Sequence, residues 1–177
     1  MSVTNINTNS ESTVARESPA GMHEGILLPD DGDSTWVNAP RSVLQSALAA
    51  LTDGRIPEAV ARFDERFKFN DHALTLEFTQ KTLLTEFFQK SRELFPDTTL
   101  EVVSLMESGD HAIAEWKLTA TQTVPYGSIS WRSRISLLGT TIVRIENGRI
   151  VQWSDYYDYA SSRRMGLASY FTEWIEY

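Results

Sequence analysis

The hydrophobic period changes at Pro96, and that change constrains the fold more than any other feature of the chain. Before it, apolar residues recur at helical spacing. After it, they alternate with polar ones for about sixty residues, the period of half-buried strands. Leu100, Val102, Ser104 and Met106 alternate with Thr99, Glu101, Val103 and Leu105. After a turn at Glu107-Ser108-Gly109-Asp110, Ala112, Ala114, Trp116, Leu118 and Ala120 share one face, with Glu115, Lys117 and Thr119 on the other. Val124-Pro125-Tyr126-Gly127 breaks the pattern, and a long strand over about 129–145 follows, with Gly139 expected to mark a bulge or bend. Asn147-Gly148 is a strong hairpin signal, and a last strand runs from Arg149 to about Tyr159.

The first half reads as helices. Asn38 is a plausible N-cap with Pro40 in the first turn. Val43, Leu44, Ala47, Leu48 and Leu51 then form an apolar stripe that Asp53-Gly54 ends. A short helix from Pro57 to about Phe63, an extended stretch Arg66–Asn70 and a polar turn at Asp71 and His72 come next. Thr79 can cap a further helix whose face carries Leu83, Leu84, Phe87, Phe88 and Leu94, and Pro96 stops it. Residues 1–38 are polar apart from Ile26-Leu27-Leu28 and are expected to be a mobile tail, with Trp36 able to dock. Residues 39–177 are expected to form one domain that ends in a helix carrying Met165, Leu167, Phe171, Trp174 and Ile175. The predicted class is α+β, a curved antiparallel or mixed sheet wrapped by helices, with a pocket at its mouth.

Charge and composition exclude several functions. A net charge of −8 argues against nucleic-acid and anionic-membrane partners. The absence of cysteine removes thiolate chemistry and cysteine-ligated metals. His23, His72 and His111 are scattered, without metal-ligand spacing, and no phosphate loop or Gly-x-Ser-x-Gly elbow is present. No stretch has signal-peptide or membrane-spanning character, so the chain is expected to be cytoplasmic.

The stretch GTTIVRIENGRIVQWSDYYD, residues 139–158, resembles the last hairpin of the nuclear-transport-factor-two-like superfamily. Its SnoaL-like polyketide cyclase and ester cyclase branch is the most similar. Weaker likeness lies in FKFNDHALTLEFTQKTLLTEFF, residues 67–88, and in Phe95-Pro96-Asp97. The resemblance covers about residues 40–160. It implies a proton-handling role for Asp155 in Trp153-Ser154-Asp155-Tyr156, and a substrate- or water-orienting role for Asn70. It also implies a homodimer through sheet faces; the outward residues Arg132, Arg134, Glu115 and Lys117 make that side of the sheet polar, so Trp174 and the terminal helix are the alternative interface. Epoxide hydrolases of this fold carry an arginine and a second aspartate where this chain has Trp116 and Leu118, which argues against their mechanism.

Val151, Trp153, Asp155 and Tyr157 fall on one face by period two, so Asp155 is expected inside, its pKa raised by desolvation. Tyr157 or Asn70 could donate to a developing oxyanion. Trp116, Leu118, Trp131, Trp153, Phe87 and His72 are the candidate substrate-binding residues; core packing for the tryptophans and turn chemistry for Asn70 and His72 are the bland alternatives. No metal or cofactor is expected. Two functions fit: a cofactor-free cyclase or isomerase acting on a small apolar carbonyl compound with Asp155 as general base, or a non-catalytic ligand-binding or dimerising module of the same fold.

Overall fold

A computed structural model describes residues 38–126 and 129–158, and the side chains of 122–126, 129–131 and 133 are outside that description. The expected tail, with the Ile26 cluster, His23 and Trp36, and the expected terminal helix lie outside the described residues, as does the side chain of Trp131. Nine elements follow in the order α1 (Pro40–Thr52), α2 (Ile56–Val60), β1 (Phe63–Asp71), β2 (Leu76–Phe78), α3 (Lys81–Leu94), β3 (Thr99–Ser108), β4 (His111–Tyr126), β5 (Ile129–Glu146) and β6 (Arg149–Tyr157). The six strands form one mixed sheet in the order β2-β1-β6-β5-β4-β3. Every pairing is antiparallel except β1 with β6, which is parallel.

The helices cover one face of this sheet. The α1 stripe Val43, Leu44, Ala47 and Leu48 is buried, and α1 packs on β3, β4 and β5. Leu84 and Phe87 of α3 are buried as α3 packs on β1 and β2. Between them lies an aromatic core. Phe69 of β1 stacks on Trp153 of β6 at 6.1 Å and meets Phe87 and Phe88 of α3 at 5.9 and 5.7 Å. Burying each such ring stabilises the fold by roughly 1.5–3 kcal/mol.

Several boundaries differ from the sequence reading. The residue capping α1 is Ala39 and the one before α3 is Gln80, and neither bonds the helix through its side chain. Asn38 instead lies against Gly148, where a Cβ would stand 2.4 Å from its Oδ1. That contact and the +72° φ of Gly148 hold the Asn147-Gly148 turn to glycine. β1 is longer than expected, beginning at Phe63 and ending at Asp71. A register shift between Arg144 and Ile145 gives Ile150, rather than Val151, to the core. Gly139 is no bulge: the β4–β5 register runs unbroken across it, with Gly139 opposite Trp116. A Cβ there would sit 2.3 Å from the Trp116 ring, so the glycine is the space in which the indole lies. The outward side of the sheet is less polar than expected, since Val103, Met106 and Leu138 are all exposed.

Candidate active site

The parallel β1–β6 register sets Asp71 directly beside Asp155. Phe69 and Trp153 form the preceding inward pair of the same ladder. Period two therefore turns both carboxylates to the helix-covered face, at the ends of their strands. They line a cavity of about 210 Å³ whose wall includes Leu48, Leu74, Phe87, Leu100, Trp116, Leu118, Ile135, Leu137, Trp153 and Tyr157. This wall is mainly apolar, and its polar groups gather at the acid pair and at a cluster on the helix side.

Each acid has its own partners. Tyr157 donates its hydroxyl to Asp71 Oδ2 at 2.8 Å, and the Leu74 N–H donates to Asp71 Oδ1 at 2.9 Å. Thr141 of β5 donates to Asp155 Oδ1 at 2.5 Å. Thr141 in turn accepts the Trp116 Nε1–H at 2.9 Å, so β4, β5 and β6 are linked by one chain of donors ending on Asp155. Gly139 makes this chain geometrically available, because only without a Cβ there can the indole reach Thr141.

Burial raises the proton affinity of Asp155, and the neighbouring charge of Asp71 raises it further, to a pKa of about 7. The Thr141 hydroxyl opposes this, as does the Trp153 indole N–H, which favours the charged carboxylate although it closes no hydrogen bond of ordinary geometry. Asp155 is half-buried and lines the cavity. Burial also raises the Asp71 pKa, against the pull of the Leu74 and Ala73 N–H groups, the Tyr157 hydroxyl and the charge of His72. Tyr157 is pushed far above the ordinary phenol range, chiefly by burial and then by the Asp71 charge, and stays neutral. Two buried acids on neighbouring strands disfavour each other's charge, so the pair gives up its last proton less readily than either acid would alone.

On the helix side, Thr52, Ser91 and Thr98 line the cavity but turn their hydroxyls onto the backbone carbonyls of Leu48, Phe87 and Phe95. Arg92 reaches the carbonyls of Thr52 and Thr98 from Nη1, each at 3.3 Å. No group of three or more His, Cys, Asp or Glu among the described residues could hold a metal ion.

The cavity brings together Asp155, Tyr157, Trp116, Leu118, Trp153 and Phe87. It excludes two residues expected in it. Asn70 is one position before Asp71 and so faces the other side of the sheet, opposite Glu77 and Ser154. His72 gives its N–H to the Asp155 carbonyl at 3.1 Å, while its ring stacks on the exposed Tyr156 at 4.3 Å, outside the cavity. The parity of β1 decides both: Phe67, Phe69 and Asp71 are buried positions, Asn70 lies between two of them, and His72 follows the strand's last residue. Asp71 and Thr141 are the site residues that the sequence reading missed. The alternation Phe67, Phe69, Asp71 carried the signal for the first.

Similarity to known proteins agrees with this architecture. A family model described as SnoaL-like polyketide cyclase matches residues 41–165. Solved structures of similar fold include a candidate SnoaL-like polyketide cyclase from Shewanella denitrificans, with 14% identity over 73% of this chain and 97% of that one, and a TM-score of 0.62. Another is AclR, a candidate hydroxylase from Streptomyces galilaeus, with 18% identity over 72% and 84% of the two chains and a TM-score of 0.59. A third is a Catenulispora acidiphila protein with a ketosteroid isomerase-like fold, in complex with trimethylamine, with 16% identity over 76% and 97% and a TM-score of 0.60. Among curated proteins none matches the chain. No helix among the described residues is long and apolar enough to cross a membrane.

Proposed function

We propose, from the premise that the chain belongs to the family of SnoaL-like polyketide cyclases, that its cavity is the active site of a cofactor-free enzyme acting on a small apolar carbonyl compound. Asp155 is the general base. It removes a proton from the carbon next to the carbonyl. The resulting enolate attacks a second carbonyl of the same molecule, closing a ring, or takes a proton back at another carbon, shifting a double bond. The observation that carries this reading is the placement of Asp155: a carboxylate in an apolar cavity, its pKa brought to about 7 by burial and by Asp71. A base poised near the working pH combines availability with proton-transfer driving force, worth about a hundred- to ten-thousand-fold in rate.

The cavity volume supports a ligand of one or two rings. At about 210 Å³ it is larger than the roughly 150 Å³ apolar cavity that accommodates benzene. A bare binding module needs no second polar group at the acid, whereas here Thr141 donates to Asp155 at 2.5 Å and Asp71 lies beside it. These neighbours favour catalysis over simple binding.

The test is enzyme-promoted exchange of the acidic C–H protons of 2-tetralone, a bicyclic ketone, followed by proton NMR in heavy water. Asp155 acts in its deprotonated form, so the exchange rate is expected to rise with pH through about 7. Asp155→Asn is expected to lower it by about a hundred- to ten-thousand-fold. An Asn variant that promotes exchange as well as the unmodified protein removes Asp155 from the mechanism.

A further inference from the structure

The cavity has two polar ends. The acid pair stands at one, and Thr52, Ser91, Arg92 and Thr98 gather at the other. The strand register gives the span between them. Thr141, which bonds Asp155, pairs with Ala114 of β4. Thr99, next to Thr98, pairs with Thr119 of β4. From Ala114 to Thr119 is five residues, about 17 Å of strand. Trp116 and Leu118 of β4 and Leu137 of β5 occupy that interval and line the cavity.

At the helix-side end the hydroxyls of Thr52, Ser91 and Thr98 are spent on backbone carbonyls. Arg92 is not spent. Its guanidinium has five N–H groups, and among the described residues only Nη1 meets protein acceptors, the Thr52 and Thr98 carbonyls at 3.3 Å each. Thr52 is the last residue of α1, so this contact answers the negative end of a helix. It also fixes the group while leaving Nε and Nη2 without an acceptor, and neither is sealed in the interior. No carboxylate among the described residues pairs with Arg92. Among the described residues that line the cavity it is the one basic side chain. A planar fork held by one nitrogen, with its remaining edge free, suits a carboxylate bound through two parallel hydrogen bonds.

We propose that Arg92 is a specificity-determining residue that binds a carboxylate of the substrate, so that the ligand is an elongated apolar keto acid with its carboxylate on the guanidinium and its carbonyl and acidic C–H at Asp155. The inference rests on the proton-abstraction reading above and adds the substrate class to it. Such a ligand mirrors the cavity, with its charge at the helix side, its ring or rings against Trp116, Leu118 and Leu137, and its reacting carbon at the acid pair. Charge also sets its direction. Asp71 and Asp155 repel an anion from their end, while Arg92 attracts it at the other. A neutral ketone can enter either way round and the acid only one way, so Arg92 serves orientation as well as affinity.

The test compares 6-carboxy-2-tetralone with its methyl ester, two ketones of one skeleton that differ in charge. The unmodified protein is expected to bind the acid about ten- to a hundredfold more tightly than the ester, the size of a hydrogen bond between charged groups. Arg92→Gln keeps a donor for the Thr52 and Thr98 carbonyls and removes the charge, and it is expected to bind acid and ester alike. Arg92→Lys keeps the charge without the fork and is expected to keep part of the preference. Should Arg92→Gln fail to fold, the Arg92 Nε–H resonance of the unmodified protein decides. It is assigned by its nearness to Gly54, on which an added Cβ would stand 3.5 Å from Nε, and is expected to move downfield with the acid and stay in place with the ester. Equal binding of acid and ester by the unmodified protein, with that resonance unmoved, overturns the anion site; exchange of both ketones through Asp155 then leaves the proton-abstraction reading standing. If the acid binds through Arg92 and neither ketone exchanges, the anion site stands and the proton-abstraction reading falls. If neither ketone binds, both are overturned.

Discussion

A base tuned by burial weakens the fold that tunes it, and Asp155→Asn measures by how much. The carboxyl has an ordinary pKa of 3.8, and the fold raises it to about 7. A raised carboxylate pKa has a definite sign. Its contribution to stability is fully present below the unfolded value and is lost as pH rises through the folded one. At about 1.4 kcal/mol per pH unit between the two values, the raised pKa of Asp155 costs the fold about 2 kcal/mol at pH 5.5, where the folded carboxyl holds its proton, and about 4 kcal/mol at pH 8.5, where it is ionised. The upper figure is a ceiling, because Asp155 opens on the cavity and water there relieves part of the desolvation. Asn has nearly the same shape, keeps an oxygen for the Thr141 hydroxyl and never ionises. The expected outcome is a variant more stable than the unmodified protein, by a margin that grows by up to about 2 kcal/mol from pH 5.5 to 8.5. Guanidinium unfolding across that interval measures it, and the interval stays above the sequence pI of about 4.9, where self-association would interfere. A margin that does not change with pH, or a variant less stable at pH 8.5, refutes the claim that a buried carboxylate is being held against its preference.

Two further perturbations probe the supports of the site. Asp71→Asn removes the neighbouring charge, the second largest cause of the raised Asp155 pKa; the midpoint of the Asp155 carboxyl, followed by ¹³C NMR, is expected to fall below about 7, and an unmoved midpoint shows the acids to be uncoupled. Gly139→Ala places a Cβ 2.3–2.8 Å from three ring carbons of Trp116; overpacking of this kind costs about 1–3 kcal/mol and displaces the indole from Thr141, so a lower thermal midpoint and a shifted Trp116 indole resonance are expected, and an alanine variant with both unchanged contradicts the cradle.

What could be read in the sequence, and what could not, divides along a physical line. Trp116, Leu118, Trp153, Asp155 and Tyr157 were legible because a strand with bulky apolar residues at alternate positions has only one face it can bury. Asn70 was misplaced because the resemblance was followed against the parity of its own strand, in which Phe67 and Phe69 are buried positions, and His72 because a turn residue has no parity to place it. Asp71 was hidden in what looked like turn chemistry. Thr141 could not be found at all: a threonine in a β-branched run reads as ordinary strand until its partners across two neighbouring strands are known. Gly139 illustrates the same limit. Glycine within a strand serves either a bulge or a close approach, and only the register, which sets Trp116 opposite it, separates the two. The pairing of β1 with β6, which creates the acid pair, joins segments far apart in the chain and leaves no trace in any local period.

That pairing also explains why the acids cannot escape each other. Parallel neighbours point their C-terminal ends the same way, so Asp71 and Asp155, each near the end of its strand, arrive at the same edge of the sheet. An antiparallel pair would have set the end of one strand against the start of the other. The ladder then continues past the acids, since the His72 N–H bonds the Asp155 carbonyl at 3.1 Å and fixes the last rung. Asp71 is further tied by Leu74 and Tyr157, and Asp155 by Thr141. Carboxylates on a flexible loop would relieve their repulsion by moving apart. Here the backbone forbids it, and the remaining ways to relieve it are to take up a proton or to admit a ligand that supplies one. The proton affinity of Asp155 thus comes first from its burial and then from the Asp71 charge that sheet topology sets beside it, and both are in place before any substrate enters.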